Sequence, residues 1–144
     1  MRLQHAGLVV RDIDRSRRFY AGALGLEEVP RPRNFTFAGA WFRFGDDEIH
    51  LLAEADTTGR AGVEEPGPSL ASGLVSHIAL EVDDLAAACA RLEENGVSLT
   101  GGPMLRGDGV TQVYVRDPDG YVVELFETTG EDQSDAPERG PVRG

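Results

Sequence analysis

Residues 5–10, HAGLVV, alternate as a strand with two unlike faces would, with Leu8 and Val10 on one side and His5, Gly7 and Val9 on the other. Residues 77–82, HIALEV, repeat the arrangement, opposing Ile78, Leu80 and Val82 to His77, Ala79 and Glu81. The two stretches open an internal repeat: HAGLVVRDI at 5–13 matches HIALEVDDL at 77–85 in character. His5 aligns with His77, Gly7 with Ala79, Val10 with Val82, Asp12 with Asp84 and Ile13 with Leu85. The acidic residues closing each stretch suit a helix start. Apolar spacing then lengthens to the helical period. Phe19, Tyr20, Ala23 and Leu24 form the stripe of a helix over 14–23. Leu85, Ala88, Cys89 and Leu92 form that of a second helix over 85–95, which Asn95-Gly96 would stop.

Three strand patterns follow each helix. In the first half they cover 26–30, 35–44 and 48–53; in the second, 97–100, 110–116 and 121–127. GDD at 45–47 and DPDG at 117–120 mark tight turns between the last two strands of each half. The expected fold is therefore α+β, with one strand–helix–three-strand module at 1–53 and another at 72–127. Residues 54–71, rich in Gly, Pro and acids, read as a linker or substrate-side loop, and 128–144 as a disordered polar tail.

Composition narrows the function. The 144 residues suffice for one domain, and no apolar run approaches a membrane span. The first residues lack a signal peptide's apolar segment and cleavage site, so a cytoplasmic location is expected. A net charge of −11 argues against nucleic acid as partner. All fourteen basic residues are arginines, which excludes Schiff-base and P-loop lysine chemistry. The single cysteine, Cys89, sits among alanines and suits helix packing better than a metal cluster.

All three histidines fall on the repeat. IHLLAE ends the first module as VELFE ends the second, which aligns His50 with Glu124. Ile49 and Leu51 oppose His50, and Val123 and Leu125 oppose Glu124, so both face away from the helices together with His5 and His77. Small Gly7 and Ala79 leave room beside them. Taken singly, each histidine suits a hydrogen-bonded structural role, and Glu124 could pair with Arg43 or Arg116. One cause explains all four better. Three imidazoles and a carboxylate suit one divalent transition ion, such as Zn, Ni, Co, Mn or Fe. Trp41 and Phe42 are candidates to line the same pocket or the core, and Arg43 to hold an anionic group or a salt bridge.

With these features the chain resembles the vicinal oxygen chelate superfamily, which includes glyoxalase I. The resemblance covers about residues 2–127 and rests on the doubled module, FYAGALGLEE at 19–28, VRDPDGYVVELFE at 115–127 and the four ligand positions. It implies an open eight-stranded mixed β-barrel around a metal, whose free positions bind two neighbouring oxygens of a small substrate and stabilise an enediolate or related oxyanion. It further implies a glyoxalase-like lyase or isomerase, with His5, His50, His77 and Glu124 as ligands and Glu124 doubling as catalytic base. In relatives resembling extradiol dioxygenases or fosfomycin-modifying thiol transferases, a triad corresponds to His5, His77 and Glu124, and His50 would be idle or outside the metal's ligands. An Fe(II) ring-cleaving dioxygenase is thus the rival enzyme, and an antibiotic-sequestering protein the non-enzyme rival. A homodimer is expected, since each half-barrel leaves apolar strand surface and open edges.

Overall fold

Each helix begins where an aspartate stops the preceding strand. In the computed structural model, which describes residues 1–57, 59–62 and 75–130, β1 (His5–Val10) leads to α1 (Ile13–Arg17). β5 (His77–Glu81) leads in the same way to α2 (Leu85–Glu94). The Asp12 carboxylate accepts from the Arg15 amide at 2.9 Å and that of Asp84 from the Ala87 amide at 2.8 Å. Both satisfy amides that the first helical turn leaves without partners.

The first helix continues past α1 as a π-helical stretch, Arg18–Ala23. Its wider turn buries Phe19, Tyr20 and Ala23 together, and the Leu24 amide closes it on the Phe19 carbonyl at 2.9 Å. The Leu26 amide is bonded to the Tyr20 carbonyl, so the first strand after the helix shrinks from the expected 26–30 to β2 (Glu27–Val29). The next, expected over 35–44, begins only at Gly39: β3 is Gly39–Phe44. Arg31 explains the delay. Its guanidinium bonds the Phe37 and Gly39 carbonyls at 2.8 and 3.3 Å and lies over the Phe35 and Phe37 rings. β4 (Asp47–Ala53) completes the module.

In the second module the stretch 97–100 is not a strand. The Gly96 amide bonds the Glu93 carbonyl and the Val97 amide that of Leu92, both at 2.9 Å, with Gly96 at φ +71. This is a glycine-terminated helix stop, and Val97 closes it against the core. The strand follows later, as β6 (Gly101–Leu105), before β7 (Val110–Arg116) and β8 (Val122–Thr128).

The strands form two four-stranded mixed sheets of identical order, β1-β4-β3-β2 and β5-β8-β7-β6, with β1 parallel to β4 and β5 parallel to β8. One hydrophobic cluster unites their helix-covered sides, from Val10, Tyr20, Phe42, Ile49 and Leu51 to Leu92, Val113, Val115 and Val123. Glu54–Asp56 form a turn of 3-10 helix within the expected linker. Residues 58, 63–74 and 131–144, which hold the rest of that linker, the start of the second module and most of the expected tail, lie outside the described residues. Among the described residues no helix is long and apolar enough to cross a membrane.

Candidate metal centre

The strand register sets the site. Gly7 stands beside His50 across β1 and β4, and Ala79 beside Glu124 across β5 and β8. Alternation puts Leu8, Val10, Ile49 and Leu51 in the core and leaves His5, Gly7, Glu48 and His50 on the opposite face. In the second sheet Leu80, Val123 and Leu125 are buried, while His77, Ala79 and Glu124 share the face away from α2.

On the first sheet the His5 and His50 rings are stacked at 4.2 Å, and Trp41 covers the other side of His50 at 3.8 Å and 3°. Trp41 therefore lines the candidate site, whereas Phe42 is fully buried core. The His50 Nε2 donates to Glu48 Oε2 at 2.7 Å, and Arg43 donates to Glu48 Oε1 at 3.2 Å. The His50 hydrogen bond, and Arg43 after it, hold the Glu48 carboxyl below its ordinary range against partial burial. Arg43 is thus engaged in a salt bridge.

On the second sheet His77 Nε2 lies 3.0 Å from Glu124 Oε2. Glu124 is only 3% exposed. It also accepts from the Tyr114 hydroxyl at 3.4 Å and from Arg106 at 3.3 Å. Its arginine partner is Arg106, from the turn between β6 and β7, where Arg43 and Arg116 were the candidates. Burial first, then the neighbouring Glu124 carboxylate, push the Tyr114 hydroxyl up. Asp108 holds Arg106 from the other side.

The environment of His77 bears on what the pair can hold. A carbonyl only accepts, so His77 Nδ1, 2.7 Å from the Val75 carbonyl, must carry a hydrogen. In a neutral ring the Nε2 lone pair then faces a carboxylate oxygen at 3.0 Å. Two acceptors at that distance need a cation between them, either a proton or a metal ion. His5 is arranged alike, its Nδ1 donating to Gln4 Oε1 at 2.7 Å.

The four candidates thus come together as two pairs, His5 with His50 and His77 with Glu124, and not as a single group. Among the described residues of one chain no three His, Cys, Asp or Glu side chains are set to hold one ion. Sequence reasoning missed Glu48, Gln4, Tyr114 and Arg106. Glu48 alone left a signal, an acid two residues before His50 on one strand face. An open cavity of about 880 Å³, lined by Leu85, Cys89, Val97, Leu99 and Pro103 among others, lies beside α2 and touches none of the four.

Similar proteins bear on this arrangement. A family model described as Glyoxalase/Bleomycin resistance protein/Dioxygenase superfamily matches residues 2–125. The lactoylglutathione lyase of Salmonella typhimurium is 37% identical over 131 residues, covering 88% of this chain and 93% of the relative. That of Haemophilus influenzae is 33% identical over 129 residues, with the same coverage of 88% and 93%. Among solved structures, a glyoxalase/dioxygenase from Nostoc punctiforme superposes with TM-score 0.70 at 26% identity, covering 88% of this chain and 90% of that one. The fosfomycin resistance protein FosX from Mesorhizobium loti, at 23% identity and TM-score 0.62, covering 88% and 91%, shares the fold.

Proposed function

The chain belongs to the Glyoxalase/Bleomycin resistance protein/Dioxygenase superfamily, and on that premise we propose that it is a metal-dependent lyase or isomerase of the glyoxalase type. The observation that carries the reading is the placement of His77 and Glu124, 3.0 Å apart on one face of the second sheet, with His5 and His50 together on the matching strands of the first. The donor chemistry fits a divalent transition ion, with three imidazoles and one carboxylate at equivalent places of a repeated module. Its ligands would be His5, His50, His77 and Glu124, and when bound it would supply Lewis acidity toward two neighbouring oxygens of a small substrate.

The remaining work falls to the chain's own side chains. Glu124, nearly buried, is the base that would remove a proton from the carbon next to a substrate carbonyl and return it to the neighbouring carbon. Tyr114 and Arg106 hold its two oxygens, which fixes their direction. Trp41, stacked on His50, offers a flat apolar wall. The relatives named lactoylglutathione lyase support a substrate carried on a thiol. A homodimer is part of the proposal: the two donor pairs lie on separate sheets, and a second copy would bring His5 and His50 of one chain to His77 and Glu124 of the other.

The test is elemental analysis of metal-supplemented protein, with turnover of hemithioacetals formed from 2-oxoaldehydes and glutathione or another thiol. The expected result is about one ion per chain and thioester formation that chelators abolish. Protein that binds neither Zn, Ni nor Co and turns nothing over would reject the proposal. Oxygen uptake with catechols under Fe(II) would move it to the ring-cleaving class.

A further inference from the structure

The two modules differ at a place where the repeat leads one to expect likeness. In the first, the Arg17 guanidinium ties the helix to the edge strand β2, bonding Asp14 Oδ1 at 2.8 Å and Glu28 Oε1 at 3.0 Å. The second module keeps none of the three side chains. Asp12 and Asp84 cap the two helices alike, which sets Asp14 against Ala86 and Arg17 against Cys89. The Leu26 and Val97 amides close the helix ends on the Tyr20 and Leu92 carbonyls, each at 2.9 Å, which sets Glu28 against Leu99.

Ala86, Cys89 and Leu99 all line the cavity of about 880 Å³ beside α2. Where the first module has an ionic bridge from helix to edge strand, the second thus has an open apolar slot. Its size is that of pockets that take small molecules. Among the described residues its charged lining is of one sign, Glu93 from α2 and Glu127 from β8, without an arginine. Glu127 Oε2 accepts from the Leu85 amide at 3.0 Å, and among the described residues no donor meets its Oε1. The chain's net charge of −11 adds to the attraction for a cation. An acyl carboxylate would meet only like charge here. An alkyl ammonium would bury its tail on Ala86, Cys89 and Leu99 and donate from its head to a carboxylate.

We propose that this slot is a second binding site, separate from His5, His50, His77 and Glu124, and that it takes a small alkyl amine in its ammonium form. The tail lies between α2 and the segment 97–99, and the head sits at the carboxylates of Glu93 and Glu127. Nothing in this assignment depends on a metal. Cys89, the chain's one cysteine and a free thiol, stands in the slot and so reports its occupancy.

Calorimetric titration of the full chain with n-octylamine, n-octanol and octanoate near neutral pH tests this, with maleimide labelling of Cys89 as a second readout. Octylamine should bind at about one per chain and slow the labelling. It should outrank octanol about tenfold through the charge-assisted contact. Each carbon added between hexylamine and octylamine should tighten binding about three- to fourfold. Glu93→Gln combined with Glu127→Gln, which keeps the acceptor for the Leu85 amide, should bring octylamine down to the level of octanol. Restoring the first module's bridge through Ala86→Asp, Cys89→Arg and Leu99→Glu should abolish binding; if that variant does not fold, the ligand series and the glutamine variant still decide. Octanol or octanoate binding as tightly as octylamine, or Cys89 left unprotected, would overturn the proposal. So would a wild-type dimer that ignores octylamine and that the bridge variant turns to monomer, because a second copy would then cover the slot.

Discussion

Asp117 shows how much one side chain carries. It is 4% exposed and accepts from the Tyr20 hydroxyl at 2.8 Å and from the Asp119 and Tyr121 amides at 2.9 Å each. Burial pushes its carboxyl above the ordinary range, and the hydrogen bonds from Tyr20 and the two amides oppose the shift. An acid raised in the folded state favours folding below its unfolded pKa, and that advantage is lost as pH rises through the folded value. Asp117→Asn should therefore gain relative to wild type as pH rises from about 4 to 7, read as the difference in melting temperature; a constant difference would refute it. Tyr20→Phe, which removes one donor to this buried carboxylate, should cost about 1–3 kcal/mol in urea unfolding. At the candidate site, Glu124→Gln should lower turnover about 100-fold or more, with bound metal measured alongside to separate base from ligand. His5, His50, His77 and Glu124 could be picked from the sequence because the repeat aligns them. Arg106 could not, since its reach to Glu124 depends on the course of a turn, and the acids of DPDG read only as turn residues although both are buried.

At the level of elements, periodicity placed both helices and the strands β1, β4, β5, β7 and β8 within a residue or so, because their apolar positions face the core. The errors fall where backbone hydrogen bonds, not side-chain pattern, decide. Val97 looks like the start of a strand, yet its amide closes the stop of α2, and pairing with β7 begins only after it. Arg31 likewise claims carbonyls that would have extended β3. The π-helical turn of Arg18–Ala23 has no spacing signature, since it is fixed by what Tyr20 reaches in the other module. The caps, by contrast, were plain: Asp12 and Asp84 stand at matching places and act alike. Asp84→Ala should cost about 1 kcal/mol of stability, measured by chemical denaturation, and leave metal affinity unchanged because α2 lies behind the sheet. An effect on metal uptake equal to that of a ligand variant would show that the helix and the site are not separable.

Across the whole molecule, the two modules are joined on their helix sides. Asp119 receives the Arg11 amide and the guanidinium groups of Arg11 and Arg15, each at 3.2 Å, and the Tyr121 hydroxyl donates to the Val9 carbonyl at 2.9 Å. Among the described residues the helices bridge the halves through α2 and the Arg18–Ala23 stretch, with no comparable strand-to-strand contact between the sheets. His5, Gly7, His77 and Ala79 stay exposed on the opposite faces, and Leu3 and Leu105 add apolar surface at 80% and 69% exposure. A second copy would cover these faces and bring each donor pair its complement. Light scattering at micromolar concentration should then show a dimer, and monomer alone would reject the arrangement. Mixing His5→Ala with Glu124→Ala protein, each inactive by itself, asks whether the site is shared. In a mixed dimer one site carries both defects, while the other draws His5 and His50 from the Glu124→Ala chain and His77 and Glu124 from the His5→Ala chain. That second site is intact, so random exchange should restore about a quarter of wild-type activity. If each site were built within one chain, every site in the mixture would carry one defect, and exchange would restore nothing.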